Sequence, residues 1–216
     1  MSAVDDPDSF IRAQTSIGRA PLVPELALHL ADRALPLWEA TEATLAAGNL
    51  PPPYWAFAWP GGQAMARLLL DRPDLVAGRR VVDFGAGSGI ASLAAAKSGA
   101  ASVTAIDIDA FARAAIAMNA ALNGLPVAIA DQPPPGCDLL LLGDMCYERP
   151  LAERVMGFAG AALKQGSLVL LADPGRAYRP EAGLEELARY AVPTSLDLED
   201  REMRETVVWR LVAGAA

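Results

Sequence analysis

A short apolar segment that runs straight into three closely spaced glycines limits the folds open to this chain. Residues 80–84 predict a buried strand, Gly85, Gly87 and Gly89 follow, and residues 90–98 predict a helix. Glycine has no Cβ, so main-chain N–H groups in such a loop can approach a ligand closely. The start of the helix adds unpaired donors and a partial positive charge. The pattern therefore predicts a ligand-binding loop between a strand and a helix.

The same alternation of strands and helices continues to the end of the chain. We predict further strands at 102–107, 126–130, 137–144 and 167–172, and helices at 110–123, 150–164 and 184–190. Two closing strands, at 194–198 and 206–212, predict an antiparallel C-terminal hairpin. Apolar strands that alternate with helices are typical of a parallel sheet covered on both faces. The fold class is therefore α/β, a Rossmann-like, mostly parallel seven-stranded sheet with helices on both faces.

The first fifty residues differ from the rest, being rich in alanine and punctuated by prolines. We predict a short helix up to Arg12, a second helix that opens at Pro24, and a third over 37–47. The predicted organisation is an N-terminal helical extension, 1–50, followed by one ligand-binding domain, 51–216.

The glycine loop can be compared with three known ligand chemistries. A P-loop requires a lysine after its last glycine, and this loop has none. A dinucleotide loop requires Gly-x-Gly-x-x-Gly, and Ile90 stands where the third glycine should be. The run Asp83-Phe84-Gly85-Ala86-Gly87-Ser88-Gly89 resembles instead the loop of Rossmann-like S-adenosyl-L-methionine-dependent methyltransferases. That resemblance implies S-adenosylmethionine as cofactor and S-adenosylhomocysteine as product.

Acidic residues lie at the ends of three of the predicted strands. Asp83 suits the cofactor's ammonium, directly or through water, and backbone N–H groups of the loop suit its carboxylate. Asp107, at the end of the second strand of the sheet, is placed to accept hydrogen bonds from both ribose hydroxyls. Asp109 is a rival that fits better as the N-cap of the next helix. Asp131 is placed for the adenine amino group, or is a turn residue.

Four aromatic residues fall within six positions, between two proline runs: Tyr54, Trp55, Phe57 and Trp59. One interpretation is a rigid loop that buries its aromatic rings in the core. The other is a wall or lid over the ligand, in which Gly61 and Gly62 admit close approach and Gln63 offers an amide. The sequence leaves both open.

Four motifs together resemble the seven-β-strand protein-lysine methyltransferases, above all those that act on the electron transfer flavoprotein β-subunit, with their bacterial homologues. The motifs are the proline–aromatic segment through Gln63, the glycine loop, Gly143-Asp144-Met145-Cys146-Tyr147-Glu148, and Ala172-Asp173-Pro174-Gly175-Arg176. The likeness covers about residues 20–212.

The resemblance implies roles for several of these residues. Trp59, Gly61, Gly62 and Gln63 would flank the cofactor, and Asp144 and Tyr147 would lie at the methyl-acceptor mouth. The implied acceptor is a lysine ε-amine of a protein, with the flavoprotein β-subunit or a ribosomal protein as candidates. Two alternatives stay open: a small-molecule N-methyltransferase with a nicotinamide-like acceptor, and a binding module without catalysis.

Charge and composition exclude several other functions. The net charge of −8 disfavours a nucleic-acid partner, which needs clustered lysine and arginine. Cys137 and Cys146 are too few for a disulfide framework or a cysteine-rich metal site, and we predict no metal. The acidic N-terminus does not resemble a signal peptide, and no apolar run is long enough to span a membrane. We therefore expect a cytoplasmic protein that does not act at a membrane.

Overall fold

The computed structural model describes residues 6–31, 52–196 and 199–212 of the chain. We number the elements in chain order. The first part contains helix α1 (Pro7–Gln14) and strands β1 (Ser16–Ala20) and β2 (Val23–Leu30). The helices of the main body are α2 (Pro60–Asp71), α3 (Ile90–Lys97), α4 (Ala110–Asn123) and α5 (Arg149–Lys164).

Seven strands form the central sheet of the main body. They are β3 (Arg80–Phe84), β4 (Ser102–Ile106), β5 (Ala128–Ala130), β6 (Leu139–Gly143), β7 (Leu168–Asp173), β8 (Leu184–Pro193) and β9 (Met203–Leu211). Their order is β5-β4-β3-β6-β7-β9-β8. Neighbours from β5 to β7 are parallel, and β9 is antiparallel to both β7 and β8. The predicted fold class and the C-terminal hairpin are confirmed.

Alternate strand residues point to the two faces of the sheet and build two cores. Val81, Leu141 and Leu170 pack with α2 and α3 on one face. Val82 and Leu142 pack with α5 on the other. Since strands buried on both faces need continuous apolar runs, this arrangement explains the four consecutive leucines of β6. The sheet reverses its order between β3 and β6, and the carboxyl ends of those strands open onto the site described below.

The N-terminal part differs from the predicted helical extension. Helix α1 forms, and Asp6 caps it by accepting from the Ser9 N–H. The helix predicted from Pro24 is wrong, because residues 16–30 form the antiparallel hairpin β1–β2. Its signal was present in the alternation of Leu26, Leu28 and Leu30, which a strand requires. The helix predicted over 37–47 lies outside the described residues.

The hairpin also shares a core with the main body, across the predicted boundary at residue 50. Ala20, Val23, Leu26 and Leu28 are buried in the cluster that contains α2 and α3. A short 3-10 helix, Tyr54–Ala56, joins a third cluster with α1 and α4. The N-terminal elements therefore pack as part of the same core as the main body.

A second prediction that fails is the helix over 184–190, which is part of β8. The run Leu-Glu-Glu-Leu-Ala-Arg-Tyr has high helix propensity, but tertiary pairing overrides it. Gly183, at a φ of 71°, turns the chain into the strand. Charges that would lie along a helix pair instead across β8 and β9, where Arg189 contacts Glu205 and Glu185 contacts Arg210. The strand predicted over 194–198 is likewise wrong at its described positions, since β8 ends at Pro193.

Within the described ranges, no helix combines the length and the hydropathy that a membrane span requires.

Candidate active site

A cavity of about 750 Å³ lies at the carboxyl ends of the parallel strands. Its floor is the glycine loop between β3 and α3, and one wall is the aromatic segment before α2. Of the predicted site residues, the lining includes Trp59, Gly62, Asp83, Gly85, Gly87, Asp107, Asp131, Asp144 and Tyr147. A cavity of this size and position is typical of a small-molecule site in an open α/β sheet.

The glycine loop is held by the neighbouring strand. Gly85 and Ala86 donate their N–H groups to the Ile106 carbonyl, at 2.9 and 3.0 Å. Gly87 donates to Asp107 Oδ2 at 2.9 Å. The glycines at 85, 87 and 89 all have positive φ, which other residues rarely adopt. The N–H groups of Gly85 and Ala86 are thus already hydrogen-bonded within the protein. They are therefore not the loop donors that we predicted for the cofactor carboxylate.

One buried carboxylate, Asp83, and one half-buried carboxylate, Asp107, flank this loop. Asp83 accepts a hydrogen bond from Ser92 Oγ at 2.6 Å, and burial raises its pKa to about 6. Asp107 accepts from Gly87 N–H through Oδ2 and from Asp109 N–H through Oδ1. Burial also raises the pKa of Asp107. Each carboxylate oxygen has two lone pairs, so Asp107 retains acceptor capacity for a ligand hydroxyl.

Two further acids lie at the same end of the cavity. Asp109 caps α4, as predicted, by accepting from Phe111 N–H at 2.9 Å, and burial raises its pKa to about 6. It also lines the cavity. Asp131 follows β5 and is exposed at the cavity edge. Acidic side chains therefore dominate this end, and the glycine loop carries no lysine or arginine. This charge distribution favours a cationic ligand over a phosphate.

The aromatic segment combines both roles proposed from the sequence. Trp55 and Phe57 are buried in the cluster with α1 and α4, and all four aromatic residues reach the cavity lining. Trp59 donates from Nε1 to the Tyr54 carbonyl at 2.9 Å. The ring of Tyr54 lies 5.8 Å from that of Trp59 and 5.7 Å from that of Tyr147, measured between centroids. The segment is a wall of the cavity that is anchored in the core.

Asp144 occupies the junction between this wall and the end of β6. Its Oδ2 accepts from the N–H groups of Gly61, at 2.5 Å, and Gly62, at 3.3 Å, which are donors in the first turn of α2. A carboxylate there is favoured by the helix dipole. Asp144 has a φ of 56°, which asparagine and aspartate tolerate better than most residues. Its backbone N–H donates to the Ala172 carbonyl at 3.0 Å.

The other oxygen of Asp144 pairs with an arginine from the loop that follows β7. Arg176 donates to Asp144 Oδ1 from Nη2 at 2.9 Å and from Nε at 3.3 Å. Burial raises the pKa of Asp144 to about 6, with Arg176 acting in the opposite direction. The carboxylate is therefore ionised above pH 7 and already has a partner at each oxygen.

Arg176 is itself shared with a second acid that the sequence analysis missed. Its Nη2 lies 2.6 Å from Glu199 Oε1, and Glu199 also accepts from Arg204 at 3.0 Å. Glu199 is buried although it lies between β8 and β9. No local pattern marks this acid, because it meets Arg176 only through the pairing of β7 with β9. The Arg176 backbone N–H donates to Asp173 Oδ1, at 2.7 Å.

Tyr147 and Cys146 are protonated at neutral pH. Burial raises the pKa of the Tyr147 phenol to about 12 and that of the Cys146 thiol to about 12. Tyr147 lines the cavity and is 39% exposed, so it can contact a ligand at the mouth but cannot act as a base. Cys146 is fully buried and packs against the α5 face of the sheet.

Three predicted cofactor residues do not line the cavity: Gly61, Gln63 and Gly89. The Gln63 amide is engaged elsewhere, since Oε1 accepts from Leu22 N–H at 3.3 Å and Nε2 donates to the Ala58 carbonyl at 2.7 Å. Gly61 and Gly89 act through close packing. A Cβ at Gly89 would lie 3.2 Å from Ile116 side-chain atoms. These three residues contact segments next to the cavity and do not line the cavity themselves.

Several curated proteins with similar sequences are named as lysine methyltransferases. Electron transfer flavoprotein β-subunit lysine methyltransferase from Danio rerio is 38% identical over 95% of this chain and 83% of its own length. The protein of that name from Xenopus laevis is 36% identical over 94% of this chain and 86% of its own. The Homo sapiens protein of that name is 34% identical over 94% of this chain and 82% of its own length.

A family model matches part of the chain, and solved methyltransferases share its fold. The model described as ribosomal protein L11 methyltransferase (PrmA) matches residues 65–133. Ribosomal protein L11 methylase from Lactobacillus delbrueckii subsp. bulgaricus covers 70% of this chain and 78% of its own, with 23% identity and a TM-score of 0.50. Magnesium protoporphyrin IX methyltransferase from Synechocystis, with bound SAM, covers 69% of this chain and 77% of its own. Its sequence identity is 16% and its TM-score is 0.50.

Proposed function

Because the chain belongs to the family of electron transfer flavoprotein β-subunit lysine methyltransferases, we propose that it methylates a lysine ε-amine of a protein. It is an S-adenosylmethionine-dependent methyltransferase. The observation that carries the substrate proposal is the 34–38% identity to named lysine methyltransferases over 94–95% of the chain. The favoured substrate is the flavoprotein β-subunit.

The residues at the acidic end of the cavity fit this cofactor. It has a cationic sulfonium and ammonium, and its ribose offers two hydroxyl donors. We propose that Asp83 pairs with the ammonium, that Asp107 accepts from the ribose, and that Asp131 lies at the adenine. When bound, S-adenosylmethionine supplies an electrophilic methyl group, and its departure leaves a neutral thioether that needs no acid. The protein's contribution is then positioning and exclusion of water.

At the other end of the cavity, we propose that Asp144 and Tyr147 receive the acceptor. A lysine has an unperturbed pKa of about 10.4 and must lose a proton before it can attack. The Tyr147 phenol is protonated at neutral pH, and the Asp144 carboxylate is already paired with Arg176. Asp144 would therefore orient the amine, and positioning would contribute more than base strength. Tyr54 and Tyr147 would form the wall along which the lysine side chain enters.

The ribosomal protein is the second candidate substrate, and its support is narrower. The matching family model ends at residue 133, and it therefore covers the cofactor loop but neither Asp144 nor Arg176. Since the acceptor-side residues lie outside this match, it supports the cofactor more than the substrate. The proposed compartment is the cytoplasm, which fits Cys137 and Cys146 as free thiols.

The proposed function is tested by offering three acceptors with labelled S-adenosylmethionine. These are electron transfer flavoprotein from the same cells, ribosomal protein L11, and nicotinamide. We expect label in the flavoprotein β-subunit, and mass spectrometry should place it on a lysine ε-amine. Label in nicotinamide alone would instead identify a small-molecule enzyme. Cofactor binding without transfer to any protein of a whole-cell lysate would identify a binding module.

The affinity for S-adenosylhomocysteine should fall as the pH is lowered through about 6, the pKa of Asp83. A protonated Asp83 cannot pair with the ligand's ammonium. Calorimetry between pH 5 and 8 should show this loss, and Asp83→Asn should bind at least about tenfold more weakly at pH 8 with a flatter pH profile. Asp138→Asn is the control, because Asp138 is not among the residues that line the cavity and Arg80 holds its pKa at about 2. If Asp83→Asn and wild type show identical pH profiles of affinity, Asp83 does not bind the ligand's ammonium.

The unliganded protein should respond to pH in the opposite direction. The folded-state pKa of Asp83 lies above its ordinary value of 3.8, so protonation favours the folded state. Its contribution to stability is complete below about pH 4 and is lost as the pH rises through about 6. The ionised form of Asp83, which the ligand requires, is therefore the form in which the unliganded protein is less stable.

A further inference from the structure

The N-terminal hairpin is connected to the glycine loop by one buried side chain. Asn119 lies on α4 and is fully buried. Its Oδ1 accepts from the His29 backbone N–H of β2 at 2.8 Å. Its Nδ2 donates to the Ser88 carbonyl at 2.9 Å. Since one partner only donates and the other only accepts, the orientation of the amide is fixed by its surroundings.

The hydrogen bond to the Ser88 carbonyl restrains the glycine loop at a residue that lies between two glycines of positive φ. Ser88 lines the cavity and stands between Gly87 and Gly89, whose φ angles are 54° and 78°. Glycines have no side chain to restrain them and lose more conformational freedom on ordering than other residues. The peptide that joins Ser88 to Gly89 is held at both ends, because Asn119 binds its carbonyl and the Gly89 N–H donates to Ala86 at 2.7 Å.

A second side chain connects the hairpin to the aromatic wall. Gln63 accepts from Leu22 N–H in the turn between β1 and β2, and it donates to Ala58 next to Trp59. The hairpin is therefore hydrogen-bonded, through one side chain each, to two of the segments that line the cavity. Both links are formed by side chains that do not themselves line it.

We propose that the hairpin β1–β2 is part of the cofactor-binding apparatus, and that Asn119 is the positioning residue that holds the glycine loop in its ligand-ready shape. The proposal rests on the assigned cofactor and does not depend on the acceptor. Asn119 acts through Ser88, and its loss should reduce cofactor affinity while leaving the chemistry of the bound complex largely unchanged.

The chain provides a matched control one helical turn away. Asn123 accepts from Ala27 N–H at 3.0 Å and donates to the Ala27 carbonyl at 2.7 Å. It therefore binds the same strand from the same helix with the same chemistry, but it has no bond to the glycine loop. Substitution of either asparagine weakens the attachment of the hairpin, and only substitution of Asn119 also releases Ser88.

The test compares Asn119→Ala with Asn123→Ala by calorimetry with S-adenosylhomocysteine and by thermal unfolding. We expect both variants to unfold at lower temperature. We expect affinity to fall about tenfold or more in Asn119→Ala, as for a lost buried hydrogen bond with a stranded carbonyl, and less than about twofold in Asn123→Ala. With saturating cofactor, kcat of Asn119→Ala should stay within about threefold of wild type, so that the defect appears in KM. Equal changes of affinity in the two variants would overturn the proposal.

Asn119→Asp provides a second variant in case the alanine does not fold. The carboxylate keeps the acceptor for His29 and lacks the donor for Ser88. At pH 8 its affinity for S-adenosylhomocysteine should again fall about tenfold or more. Wild-type affinity in this variant would overturn the proposal. The readout is cofactor binding, so a wrong acceptor assignment would appear separately, as absent methyl transfer with these affinities still measurable.

Discussion

Methyl transfer should fall by about 100-fold or more when Asp144 is replaced by asparagine, while the affinity for S-adenosylhomocysteine stays within about threefold. The amide oxygen can still accept from Gly61 and Gly62, but the amide nitrogen then faces the guanidinium of Arg176. The acceptor end of the cavity loses its negative charge and the fixed position of that arginine. Single-turnover assays on the methyl acceptor, together with calorimetry, measure the two effects separately.

Glu199→Gln is the matched control for this prediction. It weakens the second partner of Arg176 and leaves the Asp144 carboxylate in place. We expect a smaller loss of transfer, by about tenfold, because the charge that faces the acceptor remains. If both variants lose transfer equally, Asp144 acts only by holding Arg176. If Asp144→Asn loses cofactor binding as severely as transfer, the residue belongs to the cofactor side of the cavity.

Gly61→Ala should have the largest effect on stability. A Cβ at this position would lie 2.5 Å from Asp144 Oδ2, 2.6 Å from the Ala172 carbonyl and 2.7 Å from the Asp144 backbone nitrogen. Two of these three atoms are backbone and cannot rotate away. We expect the free energy of unfolding to fall by about 3 kcal/mol or more, as in strongly overpacked cores. Urea denaturation followed by circular dichroism measures the change.

A glycine in another helix gives the opposite prediction and so controls for the substitution itself. Gly157 lies in α5, and a Cβ there would meet nothing within 4 Å. Gly157→Ala should raise the free energy of unfolding by about 0.5–1 kcal/mol, because alanine has the higher helix propensity. Wild-type stability in Gly61→Ala would show that α2 can move away from β6, and that the close approach there is not required.

The parts of the fold predicted correctly are those in which local pattern and tertiary contacts agree. Helix α4 has a capping aspartate at its start, an apolar face and Gly124 at its end, so its predicted and observed bounds coincide. The parallel strands were visible as apolar runs. Strands β2 and β8 were missed because prolines, leucines and glutamates gave a helical local signal. Only the pairing of β8 with β9 decides against a helix there.

The residues of the candidate site also divide into those that a local sequence pattern predicts and those that only tertiary contacts reveal. Asp83 and Asp107 were predicted at the cavity because each lies at the carboxyl end of a strand next to the glycine loop, which is a local feature. The links made by Asn119 and Glu199 join segments that are far apart in sequence, so no spacing rule reveals them. Gln63 was misplaced for a related reason. Its position beside Gly61 and Gly62 suggested the cavity, whereas α2 turns its side chain towards the hairpin.

The two asparagines of α4 have a further consequence for the behaviour of the chain in solution. A two-stranded hairpin leaves main-chain groups at its outer borders, where a strand from another molecule can add. Asn119 and Asn123 bind the backbone at His29 and Ala27, so side chains of the same molecule occupy that border of β2. Helix α4 thereby protects the hairpin against intermolecular strand addition, and loss of both asparagines would favour aggregation.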